Sequence, residues 1–310
     1  MVCVDFYTCI AFIMRVYLLL VIGMFFKNSK KITEYDLIVV GNNLAAVVSA
    51  GMAAKSGKTV ALVSESELLL SEYSEGLLGF IEKDSNLYSL VETMGAKPIL
   101  VGEEYQIPAG MASKIALKYL KENNVNTYLK AAPIGLLTCD EKVCGIAVAT
   151  KFGAYTIKAG FVADFGERTF YSGKTISDNY LYAFQMEGVD LRQSQPPYDI
   201  NIDLNLAEDI TLHRDCRSED SCVLSFKTSE KHTHTAVEIA TKIVKHLVTT
   251  NPDFAGGQLL KFSLAPIPLG VCYNTPKKNL LDFKAGSILD GDDYLNALTC
   301  HRWFQGWLVP

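Results

Sequence analysis

Tyr35-Asp-Leu-Ile-Val-Val-Gly-Asn-Asn-Leu-Ala-Ala46, then a small-residue stretch and Thr59-Val-Ala-Leu-Val-Ser-Glu65, decides the fold. Leu37–Val40 is a short apolar run ending at Gly41, where a buried parallel strand turns into a helix. Ala45–Ser56 is rich in Ala, Ser and Gly, which lets a helix pack closely on a sheet. Gly57 stops it, and Thr59–Val63 is the second strand. Together these predict one βαβ unit. Its crossover aims the first free N–H groups of the helix at the space above Gly41, an anion site suited to a pyrophosphate.

The G-x-G-x-x-G/A fingerprint of dinucleotide sites needs its first Gly for the turn and its second for close approach of the phosphate. The third position needs Gly or Ala for helix packing. Those places hold Gly41, Asn43 and Ala46, so the approach position is the one that departs. Asn tolerates positive φ better than most residues, so the turn is expected to persist with a narrower gap. An acid should cap the second strand to grip a ribose. Ser64 stands there, with Glu65 one residue late, and a hydroxyl lacks the two-oxygen grip of a carboxylate. The expected contacts with a dinucleotide are Gly41, Asn42, Asn43, Leu44, Ala45, Ala46, Ser64 and Glu65. The competing reading is a doubly wound domain that has lost its ligand.

A chain of 310 residues with 49% apolar content has room for two domains and a substantial core. Net charge is −5, and the 29 basic residues are spread along the chain. No basic patch with interleaved aromatics appears, which argues against nucleic acid as a partner. No long-period repeat or low-complexity tract is present.

Downstream, Asp84–Met94 is amphipathic, and Ala109–Asn124 reads as a helix with Met111, Ile115, Ala116, Tyr119 and Leu120 near one face. Thr127–Lys130 is a strand candidate. Ile134–Cys139, Val143–Lys151 and Ala154–Lys158 follow with hairpin-length connections and read as a three-stranded meander. Gly160-Phe-Val-Ala-Asp-Phe-Gly166 then reads as a separate short strand ending in Gly.

This order resembles the FAD-dependent oxidoreductases of the glutathione-reductase-like flavoprotein superfamily. It is most similar to the bacterial family whose chains open on a line such as DVVVVGGGPAG and carry IDATGDGD after the meander. The counterparts here are Asp36–Ala46 and Val162-Ala-Asp-Phe-Gly-Glu167, and the likeness covers about residues 34–170. The resemblance implies a bound FAD, with its ADP moiety across Gly41–Ala46 and Gly166 close to the cofactor. It also implies a late strand and Ala-Gly that complete the flavin site, for which Asn279-Leu-Leu-Asp-Phe-Lys-Ala-Gly286 is the counterpart, so Ala285 and Gly286 are expected near the flavin. The departures are Asn43, Ser64, Phe165 in place of the Thr of A-T-G, and a short segment after Gly286. They suggest a degenerate or C-terminally shortened member.

The expected fold class is therefore α/β: a Rossmann-like parallel sheet with a three-stranded β-meander, of the FAD/NAD(P)-binding type, plus a smaller α+β second domain. Residues 34–170 would form the FAD-binding domain and 171–278 a substrate-type domain. Residues 279–310 are a late segment expected to return to the first. In the second domain Tyr198–Leu204, Ile210–His213 and Cys222–Phe226 are strand candidates, Thr235–Thr249 is an amphipathic helix, and Pro266–Lys278 reads mainly as loop.

Chemistry elsewhere is sparse. His232 and His234, with Glu230, have the spacing of one strand face, but their hydrophilic flanks favour a solvated loop over a metal site. Nothing in the sequence joins His213 to a nucleophile. No G-x-S-x-G, H-E-x-x-H or G-K-S/T motif occurs, and catalytic residues stay unassigned. Cys139 with Cys144, and Cys216 with Cys222, are weak disulfide candidates, buried thiols being the usual state of strand cysteines. At the N-terminus, residues 10–26 are apolar except for Arg15, with Lys27, Lys30 and Lys31 after them. Three readings stay open for residues 1–33: a membrane anchor with the folded part cytoplasmic, an export signal lacking an A-x-A cleavage site, or a misread start or loose N-terminal helix. Three functions follow: a FAD-dependent oxidoreductase with a weakened site and an unknown small-molecule substrate; a non-catalytic relative keeping the fold as a binding or membrane-associated module; and a nicotinamide-dependent dehydrogenase, which the meander disfavours.

Overall fold

A computed structural model describes residues 34–83, 85–140, 142–166, 179–191, 207–264, 266–269 and 280–282. The apolar run 10–26, Tyr198–Leu204, Ala285 and Gly286 lie outside these residues. Among the described residues no helix is long and apolar enough to cross a membrane.

Strand β1 (Glu34–Val40) leads through Gly41 into α1 (Leu44–Lys55) and back to β2 (Val60–Val63). The strands pair in parallel, from Leu37 opposite Val60 to Val40 opposite Val63, as the βαβ reading requires. The small side chains of α1 have a second cause besides the sheet. A Cβ on Gly51 would fall 2.2 Å from the ring of Tyr119, which is itself buried among the core residues.

Next come α2 (Ser71–Ser74), β3 (Phe80–Glu82), α3 (Asn86–Thr93), β4 (Ile99–Val101), β5 (Glu104–Gln106), α4 (Ala109–Glu122) and β6 (Asn126–Tyr128). Strands β3, β5 and β4 make a small antiparallel sheet that the sequence did not announce, because three-residue strands are too short to show a period. The meander follows as β7 (Ala132–Cys139), β8 (Lys142–Thr150) and β9 (Gly153–Asp164).

Here one expectation is corrected. The third meander strand and the strand ending in Gly166 are a single strand, β9. Its first half pairs antiparallel with β8 up to Lys158 opposite Gly145, and its second half pairs in parallel with β1, from Lys158 opposite Glu34 to Asp164 opposite Val40. Gly160 is not a break. It sits inside the strand, where an added Cβ would lie 3.4 Å from the Asp36 carbonyl oxygen of β1.

The second sheet contains β10 (Asn179–Glu187), β11 (Glu208–Arg214) and β12 (Ser221–Thr228), then α5 (Thr233–Thr250), β13 (Gln258–Phe262) and β14 (Ile267–Leu269). Its order is β11-β12-β10-β13, with β14 also on β10. Strand β10 has no counterpart among the expected strands although it is the centre of this sheet, and β14 replaces part of the expected loop after Pro266. Finally β15 (Leu280–Asp282) pairs in parallel with β9, so the late strand lies in the first sheet, whose order is β6-β2-β1-β9-β8-β7. The architecture is the mixed α/β one expected.

Three apolar clusters hold these layers. One lies between the first sheet, α1, α4 and the small sheet and reaches Leu181, Ala183 and Val223 of the second sheet. Another fills the opposite face of the first sheet beneath the meander. The third packs Tyr182, Phe184 and Phe226 under α5. Because the Tyr119 ring is buried where the new methyl would fall, Gly51→Ala is expected to destabilise the fold by about 1–3 kcal/mol through overpacking. Urea unfolding measures this, and the cost should shrink in a Tyr119→Ala background.

Candidate functional site

The site is the junction where β1 enters α1. Gly41 has φ +135°, and a Cβ there would lie 3.1 Å from Phe165 Cβ and 3.3 Å from Ala46 Cβ. The glycine is thus required by the chain packing on itself, because the end of β9 and the first turn of α1 both close on it. The Phe165 N–H donates to the Val40 carbonyl at 2.7 Å, continuing the β1–β9 pairing past the strand ends. Phe165, where the resembled family has Thr, is 2% exposed and belongs to the first core.

Asn43 does not use the left-handed tolerance expected of it. Its φ of −76° and ψ of 174° are extended, and it serves as the N-cap of α1. Its Oδ1 accepts the Ala46 N–H at 2.9 Å, and its Nδ2 donates to the Phe165 carbonyl at 3.0 Å. One side chain therefore lies across the helix end and ties it to the end of β9.

A further group shares this helix end, and sequence reasoning missed it. Glu72, on α2, is only 4% exposed. Its Oε1 accepts the Leu44 N–H at 3.1 Å. Asn42 holds this segment in place: its carbonyl accepts the Leu70 N–H at 2.6 Å and its Oδ1 accepts the Ser71 hydroxyl at 3.2 Å. Leu70 enters α2 with φ 54°, a left-handed conformation that costs a non-Gly residue about 1–2 kcal/mol. Leu44, Ala45 and Ala46 are all 0% exposed. No motif spacing links Glu72 to Leu44; only the folded path of the chain after β2 brings them together.

At the end of β2, Ser64 is 2% exposed, and its hydroxyl is spent on a local turn: it donates to the Ser66 carbonyl and accepts the Ser66 N–H, each at 3.1 Å. Glu65 is exposed to solvent. The Gly166 N–H donates to Asp164 Oδ1 at 2.8 Å. So Gly41, Asn43 and Ala46 converge with Phe165, and Leu44 with Glu72, while Ser64 faces its own turn and Gly166 bonds back to Asp164. A dinucleotide would need the N–H groups of Leu44 and Ala46 for its pyrophosphate. Both are taken by the chain's own oxygens, so in this arrangement the residues do not fit the ADP half of FAD.

Outside this junction the structure joins His213 to partners the sequence did not suggest. Its Nδ1 lies 3.0 Å from Glu104 Oε2 and its Nε2 3.4 Å from Ser225 Oγ, with the Phe80 ring stacked on it at 4.3 Å. The order Glu-His-Ser has the form of an activated nucleophile. Ser225 is 1% and His213 3% exposed, however, so a substrate cannot reach the hydroxyl. The cluster acts as a buried polar tie between the small sheet and the second sheet. Beside it Gln106 Oε1 accepts the Cys216 N–H at 2.6 Å, and Gln185 Nε2 donates to Asp215 and Ser221 at 2.9 Å.

Burial pushes the Asp215 carboxyl up, but hydrogen bonds from Arg217 and Ser221 outweigh it and hold the group below its ordinary value. His232 stands at the N-cap position of α5 without a side-chain capping bond, and His234 lies in its first turn beside Glu238, not on a strand. Cys139, Cys144, Cys216 and Cys222 are free thiols. Cys139 is exposed, against the expectation of burial, whereas burial raises Cys222 to about 12.

No described protein family matches the sequence, and no curated protein does. Solved structures do. A geranylgeranyl bacteriochlorophyll reductase-like protein from Thermoplasma acidophilum superposes with a TM-score of 0.65 at 14% identity, over 89% of this chain and 80% of that one. For p-nitrophenol 4-monooxygenase from Pseudomonas putida the values are 0.64, 10%, 89% and 80%. For L-amino acid deaminase from Proteus myxofaciens they are 0.61, 10%, 90% and 92%. At these identities the likeness is one of fold, the FAD-binding Rossmann-like type, and it does not single out the glutathione-reductase-like branch.

Two outcomes are expected. Asn43→Ala loses the cap of α1 and the bridge to Phe165, and should cost about 1–2 kcal/mol in urea unfolding. Because the Asp215 pKa is lowered on folding, its contribution is complete above the unfolded carboxylate value and is lost as pH falls through the folded one. Unfolding midpoints should therefore drop over this acid range, and less so in Arg217→Ala.

Proposed function

We propose that the protein is a FAD-dependent oxidoreductase of the glutathione-reductase-like superfamily, with a weakened dinucleotide site and a small-molecule substrate. One observation carries this reading: β9 is at once the third strand of an antiparallel meander and a parallel neighbour of β1, and Phe165, just past its end, packs against Gly41 in the β1–α1 turn. A nicotinamide-dependent Rossmann domain would continue with further βα units instead. The late strand β15 supports the same reading, since it pairs in parallel with β9 in the first sheet as a returning late segment requires. So do the neighbours of the same fold, whose names include a reductase-like protein, a monooxygenase and flavin-dependent halogenases.

The division into 34–170, 171–278 and 279–310 belongs to this proposal, as does a membrane contact through residues 10–26, by anchor or by export signal. A second reading, the non-catalytic relative, is favoured by a specific observation: Asn43 and Glu72 occupy the N–H groups that a pyrophosphate would use. The visible spectrum of the purified chain separates the two. Flavin bands near stoichiometry are expected for the enzyme. Colourless protein that takes up no added FAD would overturn it in favour of the second reading, and calorimetric titration with NAD tests the dehydrogenase.

A further inference from the structure

We propose that Cys139 and Cys144 form a dithiol site, which a small disulfide oxidant of the glutathione disulfide class converts to a disulfide across the first turn of the meander. The pair belongs to the β7–β8 hairpin and not to the β1–α1 junction. Its chemistry is therefore independent of whether that junction holds a dinucleotide.

The register of β7 and β8 brings the two thiols to one face. Cys139 pairs with Lys142 and Thr138 with Val143, and the ladder then jumps to Leu137 opposite Gly145, which leaves Cys144 as the extra residue of a bulge. Val143 is buried in the core beneath the meander. Cys144, next along the strand, faces the other way, toward Cys139. Neighbours on this diagonal stand about 7–8 Å apart in a regular pair, a little beyond the about 4.4–6.8 Å that a disulfide spans between Cα atoms. The bulge bends its strand and adds twist, and the Cys144 thiol already shares a hydrogen bond with Cys139. Both are free, Cys139 exposed and Cys144 half-buried. The similarly spaced Cys216 and Cys222 lack such access, because Cys222 has no exposed surface.

The exposed thiol reacts first. The Cys139 sulfur, as thiolate, attacks one sulfur of the oxidant; a mixed disulfide forms, the oxidant's S–S bond breaks, and its other half leaves as a thiol with the proton that Cys139 gave up. The Cys144 sulfur then attacks the Cys139 sulfur and breaks the mixed disulfide, and the second half leaves as a thiol with the Cys144 proton. The two cysteines lose two electrons and two protons, and the oxidant is reduced to two thiols. Burial and the neighbouring Cys139 push the Cys144 thiol up, while Lys158 pulls it down. Such a thiol is a slow first attacker. It suits the second step, where its closeness to Cys139 supplies the high effective concentration of an intramolecular reaction.

The test incubates the folded full chain with oxidised glutathione, blocks the remaining thiols, and maps tryptic peptides by mass spectrometry without reduction. Trypsin cuts after Lys130, Lys142 and Lys151, so each of the two cysteines falls in a peptide of its own. The two peptides should be joined in most of the protein and should separate on reduction. The joined form should be several-fold less abundant when the same incubation is done in urea. Peptides found only unlinked, or only as separate glutathione adducts, overturn the proposal. So does equal joining in urea, since the bond would then owe nothing to the folded hairpin. In Cys144→Ser, Cys139 should be trapped as its glutathione adduct, and an unmodified Cys139 in that variant also overturns the proposal.

Discussion

At the end of β1 the backbone turns at Gly41 with φ +135°, which strains any side chain, and passes so close to Phe165 that an added Cβ would lie 3.1 Å from it. This approach aligns β9 beside β1, and the alignment sets much else. It places the meander on one side of the first sheet and leaves β2 and β6 on the other. It brings the β9 end within reach of the first turn of α1, where Asn43 closes the gap with two hydrogen bonds. A substitution at Gly41 would push on Phe165 and Ala46 together, and both are buried.

The same closeness governs what the helix end can bind. In a dinucleotide site the glycine at the approach position leaves room for phosphate. In this chain the room is filled from within, by an amide on one N–H and a carboxyl on another. Both acceptors are held in place by the first core, in which Leu69, Leu70 and Tyr73 beside Glu72 are fully buried. The helix end is an internal contact, and the βαβ frame around it is held by apolar burial and strand pairing.

The second sheet is joined to the rest by contacts of mixed character. Leu181, Ala183 and Val223 share the first core, while Glu104, His213 and Ser225 form a polar tie beside them. Buried polar groups of this kind are stable only when each finds a partner, and a satisfied network fixes one arrangement of the layers. The resemblance of His213 to a catalytic base is geometric. Its burial, and that of Ser225, make the tie structural.

The sequence by itself determined the βαβ unit, the meander and the helices near 109–122 and 233–250, because each shows its period or its stop signal within one element. It also located the weak point, since Asn43 stands where a fingerprint of fixed spacing demands Gly. It could not show that β9 is one strand, because Gly160 reads as a break when the neighbouring Asp36 carbonyl is unseen. It overlooked β10, whose near-continuous burial leaves no alternation, and the three-residue strands of the small sheet. What only the tertiary structure decided is the state of the site: Glu72 meets Leu44, and His213 meets Glu104, across long stretches of chain. Contacts of that separation follow from how layers pack, and no local pattern of residues encodes them.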